Sequence, residues 1–141
     1  MGDSPRHLAR ELVLKRLYAA EIGEIDPDQI LTTIGDDGVL SERHLTFARE
    51  YFLAVWKQKE WADGIIAKLA ENWDVDRIAV IDRIILQMAL VEMKSMPDIP
   101  IKVAINEAIE LGKKFSTRQS SAFINGILDR YVKNAEKSGE M

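Results

Sequence analysis

Residues 99–133, IPIKVAINEAIELGKKFSTRQSSAFINGILDRYVK, hold two helical periods separated by a short polar break. In the first, Ile101, Ala104, Ile105, Ala108, Ile109 and Phe115 recur at i, i+3, i+4, i+7 spacing, one stripe of an amphipathic helix. Pro100 suits its first helical position, where a missing N–H is no loss. In the second, Phe123, Ile127, Tyr131 and Val132, flanked by Ile124 and Leu128, form another stripe, with Ser120 or Ser121 available as a cap. The break, Ser116–Gln119, is short enough to force the two helices into adjacent, roughly antiparallel positions. This pair decides the fold class, because no strand alternation competes with it anywhere in the chain.

Upstream, the sequence keeps the helical period. Ser4-Pro5 opens a first helix as a cap followed by a proline, and Gly23 ends it. At roughly 100° per residue, Leu8, Ala9, Leu12, Val13, Leu17 and Ala20 share one face, with Arg6, His7, Arg10, Glu11 and Tyr18 opposite. Arg16 projects among the apolar positions, so it either pairs with a buried acid or runs its stem along the core. Asp26-Pro27 starts a short helix, Gly35–Gly38 is a turn, and Ser41 is a simple cap. A long period follows from Glu42 toward Asn72, interrupted at Lys57–Glu60 and Gly64, which predicts a bend or a split. Asp74 or Asp76 is then placed to cap a helix reaching about Ser95 that is apolar on nearly every side, as a helix in the middle of a bundle is. The expected fold is all-α: a single domain over 1–141, about seven helices around one central apolar helix, with a frayed tail over 134–141.

Composition narrows the function. At 141 residues, with 47% hydrophobic and 30% charged residues, the chain reads as one globular domain. Without cysteine there is neither a disulfide framework nor a thiolate metal site, which fits a reducing cytoplasm. No apolar run reaches membrane-spanning length, and the N-terminus has no apolar signal core. No glycine-rich phosphate loop is present, His7 and His44 lie far apart, and Glu107 with Glu110 reads as a solvated helix-face pair. The sequence therefore nominates no catalytic residue, no metal ligand and no cofactor. The net charge of −4 conceals an uneven distribution. Residues 1–20 and the two C-terminal helices are basic, whereas residues 21–50 carry eight acids against Arg43 and Arg49.

Single-stranded RNA is held by bases stacked on aromatic rings and by phosphates neutralised by Arg or Lys. Arg6, Arg10, Tyr18, Lys102 and Phe123 supply those residue types at helix ends. The bland alternative puts Phe123 in the core and leaves the arginines merely solvated. Asn106 either bonds a neighbouring helix or meets a ligand, and Gly126 marks either close helix approach or a ligand lying against it. Trp56, Trp61 and Trp73 are core or a protein-contact surface.

The string PIKVAINEAIELGKKF followed by FINGILD, with ARELVLKRLY near the start, resembles the NusB family of bacterial antitermination factors over almost the whole chain. The resemblance implies an all-helical protein that binds boxA RNA of ribosomal leader transcripts together with ribosomal protein NusE and joins the RNA polymerase antitermination complex. It places RNA contacts at Arg6, His7, Arg10, Tyr18, Arg83, Gln87, Lys102, Ser120, Phe123 and Asn125. The N-terminal run here carries fewer charges than the family's, and Gln87 stands where some relatives have arginine. Fewer phosphate contacts imply weaker binding alone and a shallower salt dependence. Asp76 and Asp82 are the acidic positions expected to meet basic NusE, on charge complementarity. Two rivals stand beside this: a helical adapter or homodimer without direct RNA binding, and a fragment of an RNA cytosine methyltransferase, some of which carry a NusB-like domain.

Overall fold

A computed structural model describes residues 4–70 and 77–139. Among the described residues there are six helices: α1 (Pro5–Glu21), α2 (Pro27–Thr33), α3 (Glu42–Leu69), α4 (Val80–Ser95), α5 (Ile101–Phe115) and α6 (Arg118–Ser138). The chain divides into two compact units, Met1–Lys57 and Gln58–Met141, with α3 running from the first into the second. None of the described helices is long and apolar enough to cross a membrane. The count is one below expectation because α3 continues as a single 28-residue helix through Lys57–Glu60 and Gly64. Lys, Gln and Glu are good helix formers, so a polar interruption is not a helix stop.

In the first unit, the predicted starts hold. Ser4 Oγ accepts from the His7 N–H (3.1 Å) with Pro5 behind it, and Asp26 Oδ1 accepts from the Asp28 N–H (3.0 Å). Gly38 closes its turn at φ +70°, a conformation that favours glycine. Ser41 Oγ bonds His44 Nδ1 (2.9 Å), so this hydroxyl engages a side chain. The largest departure lies in α1. Ala9 to Leu14 are buried consecutively, Arg10 and Glu11 among them. Arg16 is half-buried and its Nε has no hydrogen-bond partner among the described residues, which favours a stem laid along apolar surface over a buried ion pair. Trp56 stacks on Phe52 at 6.2 Å between centroids.

In the second unit, α4 is covered on all sides: Ile84 to Glu92 are buried without a break, and α5 and α6 both pack on it and on each other. Each fully buried Leu or Ile contributes about 1.5–3 kcal/mol relative to exposure. The start of α4 differs from expectation. Asp74 and Asp76, with Trp73, lie outside the described residues, and Ala79 holds the N-cap position without a side-chain hydrogen bond. Pro100 is the N-cap of α5 rather than its first residue. Thr117, not Ser120 or Ser121, caps α6, because the helix begins at Arg118 and both serines fall inside it. The end of α6 stays helical to Ser138, with Ala135 buried and Gly139 left-handed at φ +77°.

The close approach of α5 and α6 occurs at Gly112. A Cβ there would lie 3.1 Å from both Ile124 Cδ1 and Ser121 Oγ, and the Ser121 hydroxyl donates to the Ile109 carbonyl (3.3 Å). Gly126, expected to mark either such an approach or a ligand, has no atom of the described residues within 4 Å of an added Cβ. Arg130 Nη1 donates to the Leu69 carbonyl at 2.7 Å, tying α6 to the end of α3. Lys94 Nζ sits 4.0 Å above the half-buried Trp61 ring.

Candidate nucleic-acid interface

The first turn of α6 is held by its own hydroxyls. Thr117 Oγ1 accepts from the Ser120 N–H (3.0 Å), and the Ser116 and Thr117 hydroxyls meet Ser120 Oγ at 2.9 and 3.0 Å. This lock fixes the face that Ser120 shares with Phe123, three residues on. Ser120 and Phe123 line a cleft of about 350 Å³ together with Gln119, Arg77, Ile78 and Asp82. Phe123 is half-buried and open to the cleft, not sealed in the core. Asp82 is buried to 6% exposure, and its Oδ1 has no hydrogen-bond partner among the described residues. The cleft thus combines an aromatic ring, a cation and an amide, with a buried carboxylate beneath. Those are the groups that stack a base and read its polar edge.

The remaining expected residues of this unit divide. Lys102, on the first turn of α5, and Asn125, on α6, are exposed, as is Asn106, while Arg83 is half-buried. Gln87 is a correction: at 4% exposure it is inside, and its Nε2 donates to Asp63 Oδ1 at 2.8 Å. On a helix covered all round, no face remains for a polar residue except toward an internal partner. Asp82 is corrected likewise, being a wall of the cleft rather than an exposed charge; Asp76, its companion, lies outside the described residues. Arg77 and Gln119 were not anticipated. Gln119 had a signal, its i, i+4 spacing to Phe123; Arg77 had none.

In the first unit, Arg6 is exposed, and its guanidinium carbon stands 4.2 Å from the centroid of the Phe47 ring. Arg10 is a correction. It is 3% exposed, with its guanidinium 5.7 Å from the same ring, not on the solvent face that the helical period gives it. A cation over an aromatic face is stabilised by the ring quadrupole, and more so when desolvated. Phe47 thus lies beside both guanidinium groups, one exposed and one buried, a contact no local pattern reveals. Phe47 is itself braced edge-on by Tyr51 at 5.7 Å. His7 Nε2 meets Glu11 Oε2 at 2.9 Å, leaving the imidazole 16% exposed. Tyr18 is 40% exposed, as expected.

The NusB family model matches residues 7–133 of the chain. Transcription antitermination protein NusB of Desulforapulum autotrophicum is 40% identical, with 97% of each chain covered. Its counterpart in Symbiobacterium thermophilum is also 40% identical, over 91% of this chain and 89% of that protein. A solved structure of NusB from T. maritima is 36% identical and superposes with a TM-score of 0.84, covering 94% of this chain and 93% of that one. The chain therefore belongs to the NusB family of transcription antitermination proteins.

Proposed function

We propose that the protein binds boxA-type single-stranded RNA as a non-catalytic antitermination factor in the cytoplasm, acting with ribosomal protein NusE in the RNA polymerase antitermination complex. The observation that carries this is the half-buried Phe123 ring, open to a cleft that also holds Arg77, Gln119 and Ser120. In this reading Phe123 is the stacking platform and Ser120 and Gln119 bond the polar edge of the stacked base. Lys102 and Arg6 neutralise phosphates, and Asn125, Arg83, His7 and Tyr18 add further contacts. Arg10 and Gln87 are not assigned contacts, because both are buried.

The short supply of exposed cations supports a further point. Of the three N-terminal residues the resemblance assigns, only Arg6 is exposed, so few counterions are released when RNA binds. Binding by the chain alone is weak, and NusE raises it. Fluorescence anisotropy of a labelled boxA-type RNA, with and without NusE, tests this. Phe123→Ala should lower affinity by about 5- to 150-fold, the range set by one lost base stack. Arg6→Ala should reduce the slope of log affinity against log salt by about one phosphate contact. Circular dichroism confirms that both variants stay folded. Unchanged RNA retention in both variants would favour a helical adapter without direct RNA binding, and tight binding at physiological salt without NusE would contradict the dependence on the partner.

A further inference from the structure

Five large hydrophobic side chains are exposed among the described residues; apart from Tyr18, assigned above to RNA, three of them fall within residues 22–39: Ile22 (49%), Ile25 (41%) and Val39 (61%). Single exposed aliphatics are ordinary; a local concentration marks a contact surface. The corner between α1 and α2 is tightly built. Ile22 lies one turn beyond Tyr18, its N–H bonded to the Tyr18 carbonyl at 2.8 Å. The chain then reverses through Gly23, where a Cβ would fall 2.7 Å from the Ala19 carbonyl oxygen, and Glu24, at φ +53°. The Ile25 N–H returns to the Ala19 carbonyl at 3.4 Å. Ile22 and Ile25 are thus held on either side of a fixed bend. Presenting them costs little further conformational entropy on binding.

The charge around this corner selects the occupant. From Glu21 to Leu40 the chain has six acids (Glu21, Glu24, Asp26, Asp28, Asp36, Asp37) and no Lys, Arg or His of its own; Arg49 reaches it at Leu31, away from the bend, its Nε donating to that carbonyl at 3.5 Å. A phosphate backbone is repelled by such a surface, and so is an anionic lipid leaflet. A cationic protein segment is attracted to it. We propose that the α1–α2 corner docks a basic amphipathic segment of another protein. Aliphatic side chains of that segment seat on Ile22 and Ile25, and its Lys or Arg residues face the acidic rim. The apolar anchors carry the affinity, and the rim sets orientation and association rate.

Chemical-shift mapping on the isotope-labelled full chain tests the proposal. The probe is a synthetic amphipathic helix of leucine and lysine, and the control is the same pattern in leucine and glutamate. The lysine peptide should shift amides concentrated in residues 18–39, and the glutamate peptide should shift none. Ile22→Ser combined with Ile25→Ser should weaken lysine-peptide binding at least about tenfold, as loss of central apolar anchors does. The same variant should bind RNA as the unaltered chain does, which separates this surface from the RNA contacts. Glu24→Lys should weaken peptide binding more at low than at high salt. Shifts lying mainly outside residues 18–39, equal binding of the glutamate peptide, or full affinity in the double-serine variant would each overturn the proposal.

Discussion

Helices α1 and α6 are both capped by a hydroxyl residue and both carry an arginine in the first turn, yet they bury themselves differently. In α6 the buried residues are Ser121, Ile124, Ile127, Leu128 and Ala135, while Asn125, Gly126, Asp129, Arg130 and Lys133 stay outside. That is one covered stripe, and the apolar period reports it faithfully. In α1 six consecutive residues, Ala9 to Leu14, are buried, so every face is covered over that length. An apolar period then says only which side is most apolar. Charged residues caught in such a stretch must find internal partners, since an unpaired buried charge is costly. Arg10 has the Phe47 ring and Glu11 has His7.

The most forceful way to break this comparison is to empty each core in turn. Leu128→Ala in α6 and Leu14→Ala in α1, both at or below 1% exposure, should each destabilise by about 2–5 kcal/mol, read from urea unfolding. Equal losses would show that the two helices differ in coverage and not in packing quality. A much smaller loss at Leu14 would mean that α1 tolerates repacking, and the contrast would need restating.

A smaller effect sharpens the contrast at the charged positions. Arg10→Ala removes a buried stem and its contact with Phe47, and should cost about 2 kcal/mol. Arg118→Ala, at the exposed start of α6, should change stability by no more than about 0.5 kcal/mol. If both arginines prove equally dispensable, the burial of Arg10 has no energetic meaning and its assignment to the interior fails.

These contrasts explain what could be read from the amino-acid sequence. The α5–α6 pair, the Ser4-Pro5 and Asp26-Pro27 starts and the all-round apolar α4 are local patterns, and all are present in the structure. Phe123 was legible as a candidate because it stands at a helix start among polar residues. The opening beside it depends on Arg77 and Ile78, which are remote in sequence. Gln87 stood among the RNA contacts on the resemblance alone, and its burial is made tolerable by Asp63, which lies 24 positions away in the chain. Thr117 displaced the serines as cap because the helix starts at Arg118, five residues before the apolar stripe begins at Phe123.

The two glycines of the C-terminal pair give the smallest effect and the most discriminating one. Both sit inside helices, where glycine costs about 0.5–1 kcal/mol relative to alanine. At Gly112 the space is taken: an added methyl group presses on Ile124 and Ser121 at 3.1 Å, so Gly112→Ala should forfeit that gain through displaced neighbours. At Gly126 the space is open, so Gly126→Ala should raise stability by about 0.5–1 kcal/mol in the same urea titration. Helix packing therefore explains the first glycine and leaves the second without an intramolecular reason. Exposed Asn125 is its neighbour in the chain, and a bound strand passing that side of α6 would meet the bare backbone at Gly126. If Gly126→Ala folds more stably but binds RNA less tightly, the glycine serves the ligand. If it gains stability with RNA affinity intact, the strand keeps to the Phe123 side, and the contact assigned to Asn125 is lost with it.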